Sequence, residues 1–194
     1  MARHHRRPNR WHGFVVGILG GAAGLLGMAL YWRYVAPNLE EAASAIVPAP
    51  DAEDEGQDEP GPLDDVSIPG PLYQGEESST AALGRLVYQG VAGKPPRAKE
   101  TRNLLSQLVH WGYGLLQGGL YGATRASARG LDVEGGVVYA GLLWLIGDEL
   151  VVPLLGLQAG PTAASPIAHV NRLGAHVAYG LATSAVTQTL KHVM

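Results

Sequence analysis

Six ionisable side chains lie within otherwise apolar stretches of the second half of the sequence. They are His110, Asp148, Glu149, His169, Arg172 and His176. An ionised side chain inside a bilayer costs about 2.5–3.5 kcal/mol even on a lenient insertion scale, so such groups should turn inward and meet one another. We therefore expect one buried polar cluster, in which Arg172 pairs with Asp148 or Glu149. Nearby amide side chains are available to satisfy its remaining donors and acceptors: Asn171, Gln107 and Gln117.

Three interpretations of this polar cluster remain open. It is a structural lock that fixes how the helices assemble, a site that handles protons or other ions, or a metal or haem site. Histidine titrates near neutral pH, so two imidazoles and two carboxylates at one depth can pass a proton. His110 and His176, on different helices, could be axial haem ligands, whereas His169 and His176 are too far apart along one helix for a tight metal site. We predict no metal site and no resident cofactor, with haem as the alternative.

The sequence lacks the usual signatures of an enzyme. It contains no cysteine, which excludes disulfides, iron–sulfur ligation and thiol nucleophiles. It has no phosphate-binding loop, and no serine or threonine lies in a nucleophile-elbow motif. We therefore expect a non-enzymatic protein without catalytic residues.

Four long apolar stretches must position the polar cluster. They cover residues 13–35, 104–123, 135–155 and 166–190, and the last three make up most of a region from 103 to 194. A helix rises about 1.5 Å per residue, so roughly 20 apolar residues cross the hydrocarbon core of a bilayer. Tyr31, Trp32 and Arg33 near the end of the first stretch favour a retained helix over a cleaved signal peptide. We predict an all-α fold, a four-helix transmembrane bundle with a long extramembrane loop after its first helix.

Glycines recur at every fourth position in two of these stretches. The first stretch has Gly13, Gly17 and Gly21, with Gly20 and Gly24 on a second face, and the second stretch has Gly114, Gly118 and Gly122. Small residues spaced in this way let helix backbones approach closely in lipid. We expect these glycines, together with Gly180 in the last stretch, to form the helix-packing faces of the bundle.

The remaining segments are polar or amphipathic. Residues 1–12 form a basic tail, residues 36–79 an acidic proline-rich linker, and residues 80–102 an amphipathic segment suited to the membrane interface. The linker region holds most of the acids of the chain, with no Lys or Arg between Tyr34 and Gly84. We expect the linker to be disordered, or at most a strap over another part of the protein, because its prolines break regular elements.

The basic tail sets the expected orientation. The positive-inside rule places the N-terminus in the cytoplasm and the acidic loop in the periplasm. The basic run from Lys94 to Arg102 falls on the same side as the acidic loop and weakens the charge bias. The orientation therefore depends mainly on the first helix.

Three stretches together resemble the YagU-like family of small bacterial inner-membrane proteins. They read VHWGYGLLQGGLYGA, YAGLLWLIGDELVVPLLGL and AHVAYGLAT, with a proline-rich turn and His169 between the last two. The positions that match the family pattern are His110, Gly114, Tyr121, Gly122, Trp144, Asp148, Glu149, Pro153, Gly156, His169, His176, Tyr179 and Gly180. The resemblance implies an inner-membrane location. The function of the family is unknown, and the association of its best-known member with acid resistance suggests pH-related work.

The leading functional hypothesis is a non-enzymatic integral membrane protein. It would be an accessory or scaffold subunit of a larger membrane complex, or part of a homo-oligomer, in contact with the lipid bilayer and not with nucleic acid. One alternative is a small proton- or ion-linked channel or transporter related to acid resistance. A second alternative is a haem-binding electron-transfer protein.

Overall fold

A computed structural model of the chain describes residues 9–46, 61–126 and 132–193. These residues form helices and turns without a strand, so the predicted all-α class is confirmed for the described part of the chain. The helices are α1 (Arg10–Tyr34), α2 (Ala36–Ile46), α3 (Ser79–Ala92), α4 (Lys99–Thr124), α5 (Val133–Leu142), α6 (Val152–Leu154) and α7 (Pro166–Val193). A π-helical segment, Leu143–Val151, joins α5 to α6, and a 3-10 turn, Pro161–Ala163, precedes α7.

Helix α1 lies at the centre of the fold. It packs against α4 on one face and against α7 on another, while α5 packs on α7 and α3 packs on α4. Helix α4 runs antiparallel to α1, because Gly13 meets Gly122 near one end of α4 whereas Gly21 meets Gly114 further along. Helix α7 likewise meets α1 through Thr187 at Gly20.

The two glycine series form the contact between α1 and α4. A Cβ on Gly17 would collide with the main chain of Gly118 and Gly122, and a Cβ on Gly118 would collide with the main chain of Gly17 and Gly21. The second glycine face of α1 packs on α7, and Gly180 of α7 packs on Gly136 of α5. Each of these contacts needs a residue without a side chain, which explains the spacing in the sequence.

The first part of the acidic linker differs from the expectation of an irregular segment. Ala36–Ile46 is helical, because Pro37 lies in the first turn, where its missing N–H breaks no helical hydrogen bond. Residues 47–60, which contain the acidic run Asp51–Glu59, lie outside the described residues, as do residues 1–8 of the basic tail. No outcome is therefore assigned to those parts of the predicted tail and linker.

The last part of the linker, residues 61–78, lies over the turn between α6 and α7, and we call it the strap. Asp64 Oδ1 accepts a hydrogen bond from the Thr162 hydroxyl at 2.5 Å, and the main-chain N–H of Gly160 donates to the Asp64 carbonyl at 2.8 Å. The N–H groups of Leu72 and Tyr73 both donate to the carbonyl of Gly156. A strap was one of the two expectations for this segment.

Many large apolar side chains lie on the outer faces of the helices, and several polar side chains are buried between the helices. Leu26 and Leu30 of α1 are each 57% exposed, whereas Thr187 and Gln188 of α7 are 0% and 1% exposed. Large exposed apolar side chains also line the outer faces of α4 and of the stretch from α5 to α6. Within the described residues, the helical stretches 10–46 and 133–154 are long and apolar enough to cross a membrane. The mean hydropathy of 18 consecutive residues reaches 2.0 in the first stretch and 1.7 in the second.

A proline interrupts the main-chain hydrogen bonds at the end of the π-helical segment. In its hydrogen-bonding pattern, residue 152 donates to the carbonyl of residue 147, so the carbonyl of Asp148 should accept from residue 153. Residue 153 is proline and has no N–H. The side chain of Gln158 folds back instead, and its Nε2 donates to the Asp148 carbonyl at 2.7 Å. This side-chain hydrogen bond completes the end of the π-helical segment, and the segment presents Asp148 and Glu149 to α7.

Candidate functional site

Two elements bring the polar cluster together. His169, Arg172 and His176 follow one another at spacings of three and four residues, so α7 presents all three on one face. The π-helical segment presents the two consecutive carboxylates opposite them. Local π geometry inside α-helices is frequent at functional sites, and here it covers nine residues that include both carboxylates of the cluster.

His169 and Glu149 form the tighter of two histidine–carboxylate pairs. His169 Nδ1 lies 2.9 Å from Glu149 Oε1, and His169 Nε2 lies 2.9 Å from the carbonyl oxygen of Pro161. A carbonyl can only accept, so Nε2 carries a hydrogen. The hydrogen bond to Glu149 therefore requires one further proton, held either by Nδ1 or by the carboxyl group.

His176 and Asp148 repeat this arrangement in a looser form. His176 Nδ1 lies 2.9 Å from the carbonyl oxygen of Arg172, which again fixes a hydrogen on that nitrogen. His176 Nε2 lies 3.7 Å from Asp148 Oδ2. The side chain of Asp148 is 32% exposed, against 9% for Glu149, so Asp148 is the more accessible carboxylate of the two.

Arg172 lies between the two pairs. Its Nη1 is 4.0 Å from Glu149 Oε1, which is one of the two pairings expected from the sequence. With both carboxylates ionised and both histidines neutral, the five side chains carry a net charge of −1. They become neutral on binding one proton, and a second proton would leave them positive.

A cavity of about 210 Å3 opens beside the polar cluster. Asp148, Arg172 and His176 line it on one side, and His110 lines it from α4. His110 therefore shares the cavity with the cluster without belonging to either histidine–carboxylate pair described above. The rest of the wall combines apolar and aromatic side chains with three polar ones: Leu25, Met28, Trp32, Tyr113, Leu143, Tyr179, Ser79, Thr80 and Gln117.

The expected amide partners satisfy other groups. Asn171 is buried and donates to Glu40 of α2 at 2.9 Å, while its Oδ1 accepts from the Tyr31 hydroxyl. Gln117 accepts from the Tyr139 hydroxyl, and Gln107 is exposed. Asn171 is therefore not available to the cluster, because Glu40 and Tyr31 use its polar atoms. Gln117 lines the cavity beside the cluster.

A second polar group at the opposite end of the bundle was not singled out from the sequence. Asp132 accepts from Arg125 Nε and Nη2 at 2.5 and 2.6 Å, from the Tyr121 hydroxyl at 2.9 Å, and from the Gly135 N–H as the N-cap of α5. The hydrogen bonds from Arg125 lower the pKa of Asp132 below its ordinary value. An aspartate just before a long apolar run is a recognisable N-cap signal that could have identified it.

The haem hypothesis does not fit the cavity between His110 and His176. At about 210 Å3 the cavity is smaller than the roughly 300–1,000 Å3 of pockets that hold drug-sized ligands. Within the ranges that the structure describes, no three His, Asp or Glu side chains converge as a metal ion would require.

Comparisons of the chain with family models, with curated proteins and with solved structures returned no match. The geometry of the described residues is therefore what bears on function.

Proposed function

We propose that the chain is a four-span protein of the bacterial inner membrane whose polar cluster binds and passes protons. Support for the membrane location comes from the distribution of side chains. Leucines and valines that a water-soluble protein would bury lie on the outside, at exposures near 50%, for example Leu104, Leu145 and Val170. Glycine, threonine, asparagine and glutamine fill the contacts between helices, as in bundles that assemble in lipid.

Helix α1 belongs to one of the two helical stretches with the length and hydropathy of a membrane span. Helix α4 follows α1 from Gly13 opposite Gly122 to Leu25 opposite Gly114, and α7 follows it on the other side. Helices packed antiparallel along the same length occupy the same depth. If α1 crosses the bilayer with its basic end in the cytoplasm, α4 and α7 cross it as well and the strap is periplasmic.

The observation that carries the proton-handling role is the matched geometry of the two histidines. In each ring, one nitrogen is held by a main-chain carbonyl and the other faces a carboxylate. Between His169 and Glu149, 2.9 Å apart, a proton can then move without rotation of the ring. His176 Nε2 and Asp148, 3.7 Å apart, exchange a proton through a bridging water molecule or after a small approach. Asp148 and His176 line the cavity and form the point of entry, while Glu149 and His169 lie further from it.

Further polar side chains continue along the same face of α7 towards its C-terminus. Tyr179, Thr183 and Thr187 are 2% exposed or less. The hydroxyls of Thr183 and Thr187 and the amide of Gln188 are buried and have no partner among the described residues. The two threonine hydroxyls lie at the close contact of α7 with Gly20 and Gly24 of α1, so the proposed proton path is confined to the cluster and its cavity.

The resemblance to the YagU-like family agrees with this role. The two histidines and two carboxylates of the pairs lie at positions of the family pattern. The association of the best-known member of that family with acid resistance fits a protein that exchanges protons.

Proton flux across reconstituted vesicles tests the proposal. The purified chain, in vesicles with a pH-sensitive dye inside, should admit protons when a membrane potential is imposed. Asp148→Asn and His176→Gln should abolish the flux, because each removes one half of the entry pair. Asp65→Asn makes the same chemical change in the strap and should leave the flux intact. Flux that persists in folded Asp148→Asn and His176→Gln proteins would rule out the proton path and leave the structural lock.

A second candidate function is an accessory or scaffold subunit of a larger membrane complex. It is favoured by the outer face of α4, where a Cβ on Gly112 would meet open space between the exposed Leu108 and Leu116. Other glycines of α4 receive a neighbouring helix, so this one is available to a helix of another subunit. Gly112→Leu should then abolish co-purification of the partner, whereas Gly141→Leu, at another open glycine, should not.

A further inference from the structure

A second cavity, of about 470 Å3, lies between the start of α3 and the start of α4. Its lining is polar and basic: Gln74, Ser78, Lys99, Arg102, Asn103 and Ser106. The four residues from α4 follow at spacings of three, one and three, so they share one face of that helix. The cavity is separate from the polar cluster, and none of its residues lines the first cavity.

The charge of this second cavity is positive. Glu77 also lines it, but its carboxylate is already paired with Arg85, whose Nη2 lies 2.9 Å and Nε 3.1 Å away. Both side chains of that pair are nearly buried, at 7% and 12% exposure. Lys99 and Arg102 are therefore left without a carboxylate in the cavity and are both exposed to incoming ligands. Arg102 Nη2 donates one hydrogen bond to the Arg97 carbonyl at 3.2 Å, and the other N–H groups of its guanidinium are available to a ligand.

We propose that this cavity binds a phosphate group, carried by an anionic phospholipid or present as free phosphate. Two cations with a hydroxyl and an amide beside them match a tetrahedral anion with several oxygens, and a guanidinium donates to two of those oxygens at once. The α4 N-terminus lies at Lys99 and adds the positive end of the helix dipole.

The surroundings of the cavity favour the lipid as the source of the phosphate. Helix α3 exposes Val87 and Val91, at 57% and 88%, beside the basic segment. Apolar side chains next to a phosphate site offer a surface for acyl chains.

Ligand binding to the purified full-length chain in a neutral detergent tests this proposal. The probes are short-chain phosphatidylglycerol, short-chain phosphatidylcholine and inorganic phosphate. Lys99→Gln and Arg102→Gln should each weaken phosphatidylglycerol binding by about fivefold, since each loses an exposed ion pair with the phosphate inside the cavity. Lys94→Gln removes the same charge close by but outside the cavity, and should leave the affinity nearly unchanged.

The probes distinguish the two sources of phosphate. Binding of phosphatidylglycerol without binding of inorganic phosphate assigns the site to a lipid head group. Binding of inorganic phosphate with the same dependence on Lys99 and Arg102 assigns it to free phosphate. If neither probe binds, or if Lys94→Gln weakens binding as much as Arg102→Gln, the proposal is overturned. An unchanged thermal unfolding temperature shows that the Lys94, Lys99 and Arg102 variants are folded. The result of the proton-flux assay does not depend on whether this cavity binds phosphate.

Discussion

Gln158 donates a hydrogen bond from its side-chain Nε2 to the main-chain oxygen of Asp148, 2.7 Å away. The bond replaces the one that Pro153 cannot make, because proline has no N–H. The main chain at Asp148 is thus held by a side chain ten residues further on. The position of the entry carboxylate depends on this substitute bond.

The first prediction is that Gln158→Leu destabilises the chain by about 1–3 kcal/mol, because it leaves the Asp148 carbonyl unsatisfied. Adding Pro153→Ala restores a main-chain donor at the required place. Thermal unfolding of the two single variants and the double variant, in one detergent, should give a coupling of at least about 0.5 kcal/mol. Strictly additive effects would show that Gln158 does not replace the missing N–H.

The contact between α1 and α4 gives the second prediction. Gly118→Ala should lower the free energy of unfolding by about 1–3 kcal/mol, because its Cβ would overlap the main chain of Gly17 and Gly21. Gly112→Ala, six residues earlier on the same helix, meets open space and should cost little. Equal melting temperatures for the two variants would contradict the close approach of α1 and α4.

The third prediction concerns the Asp132–Arg125 pair. The folded pKa of Asp132 is below its unfolded value of about 3.8, so its stabilisation is complete above that value. It is lost as the pH falls through the lower folded pKa. Asp132→Asn keeps the capping oxygen, removes the charge and should cost about 1 kcal/mol at pH 7, since Arg125 is 45% exposed. The difference between the two proteins should shrink at pH 3 and below. A constant difference down to that pH would be inconsistent with the pair.

The fourth prediction concerns the strap. Asp64→Ala removes acceptors for the Thr162 hydroxyl and the Gly61 N–H, so amides of residues 61–73 should exchange with deuterium faster. The amides of α1 and α4 should exchange as before. Asp65→Ala is the control, because Asp65 bonds to Ser67 within the strap itself. Faster exchange in both variants would mean that the tie to Thr162 does not hold the strap.

Part of the fold could be predicted from local patterns. Glycine at every fourth residue marks the contact faces of α1 and α4, because only a residue without a side chain allows that approach. The π-helical segment could not be predicted, since it depends on Gln158 reaching back across a turn. The strap depends on Asp64 meeting Thr162, which lies 98 residues away in the sequence.

The polar cluster, too, could be predicted only in part from the sequence. The cost of burying charge predicts that Arg172 seeks a carboxylate, and it lies 4.0 Å from Glu149. The assignment of each histidine to its own carboxylate needs the geometry of the π-helical segment, which no spacing rule supplies. Asn171 was expected to be available to the cluster, but it donates to Glu40 of α2 instead. Helix α2 was not predicted, because it lies in the proline-rich linker.

The central claim is that the outward-facing leucines lie in lipid. The chain has no cysteine, so single cysteines can be placed without background. Leu108, Leu145 and Leu63 are 60%, 53% and 48% exposed in the protein itself, so only a membrane would distinguish them. In intact membranes, a water-soluble maleimide should label Leu63→Cys in the strap and leave Leu108→Cys and Leu145→Cys unlabelled until detergent is added. Labelling of all three at the same rate before detergent would contradict the account.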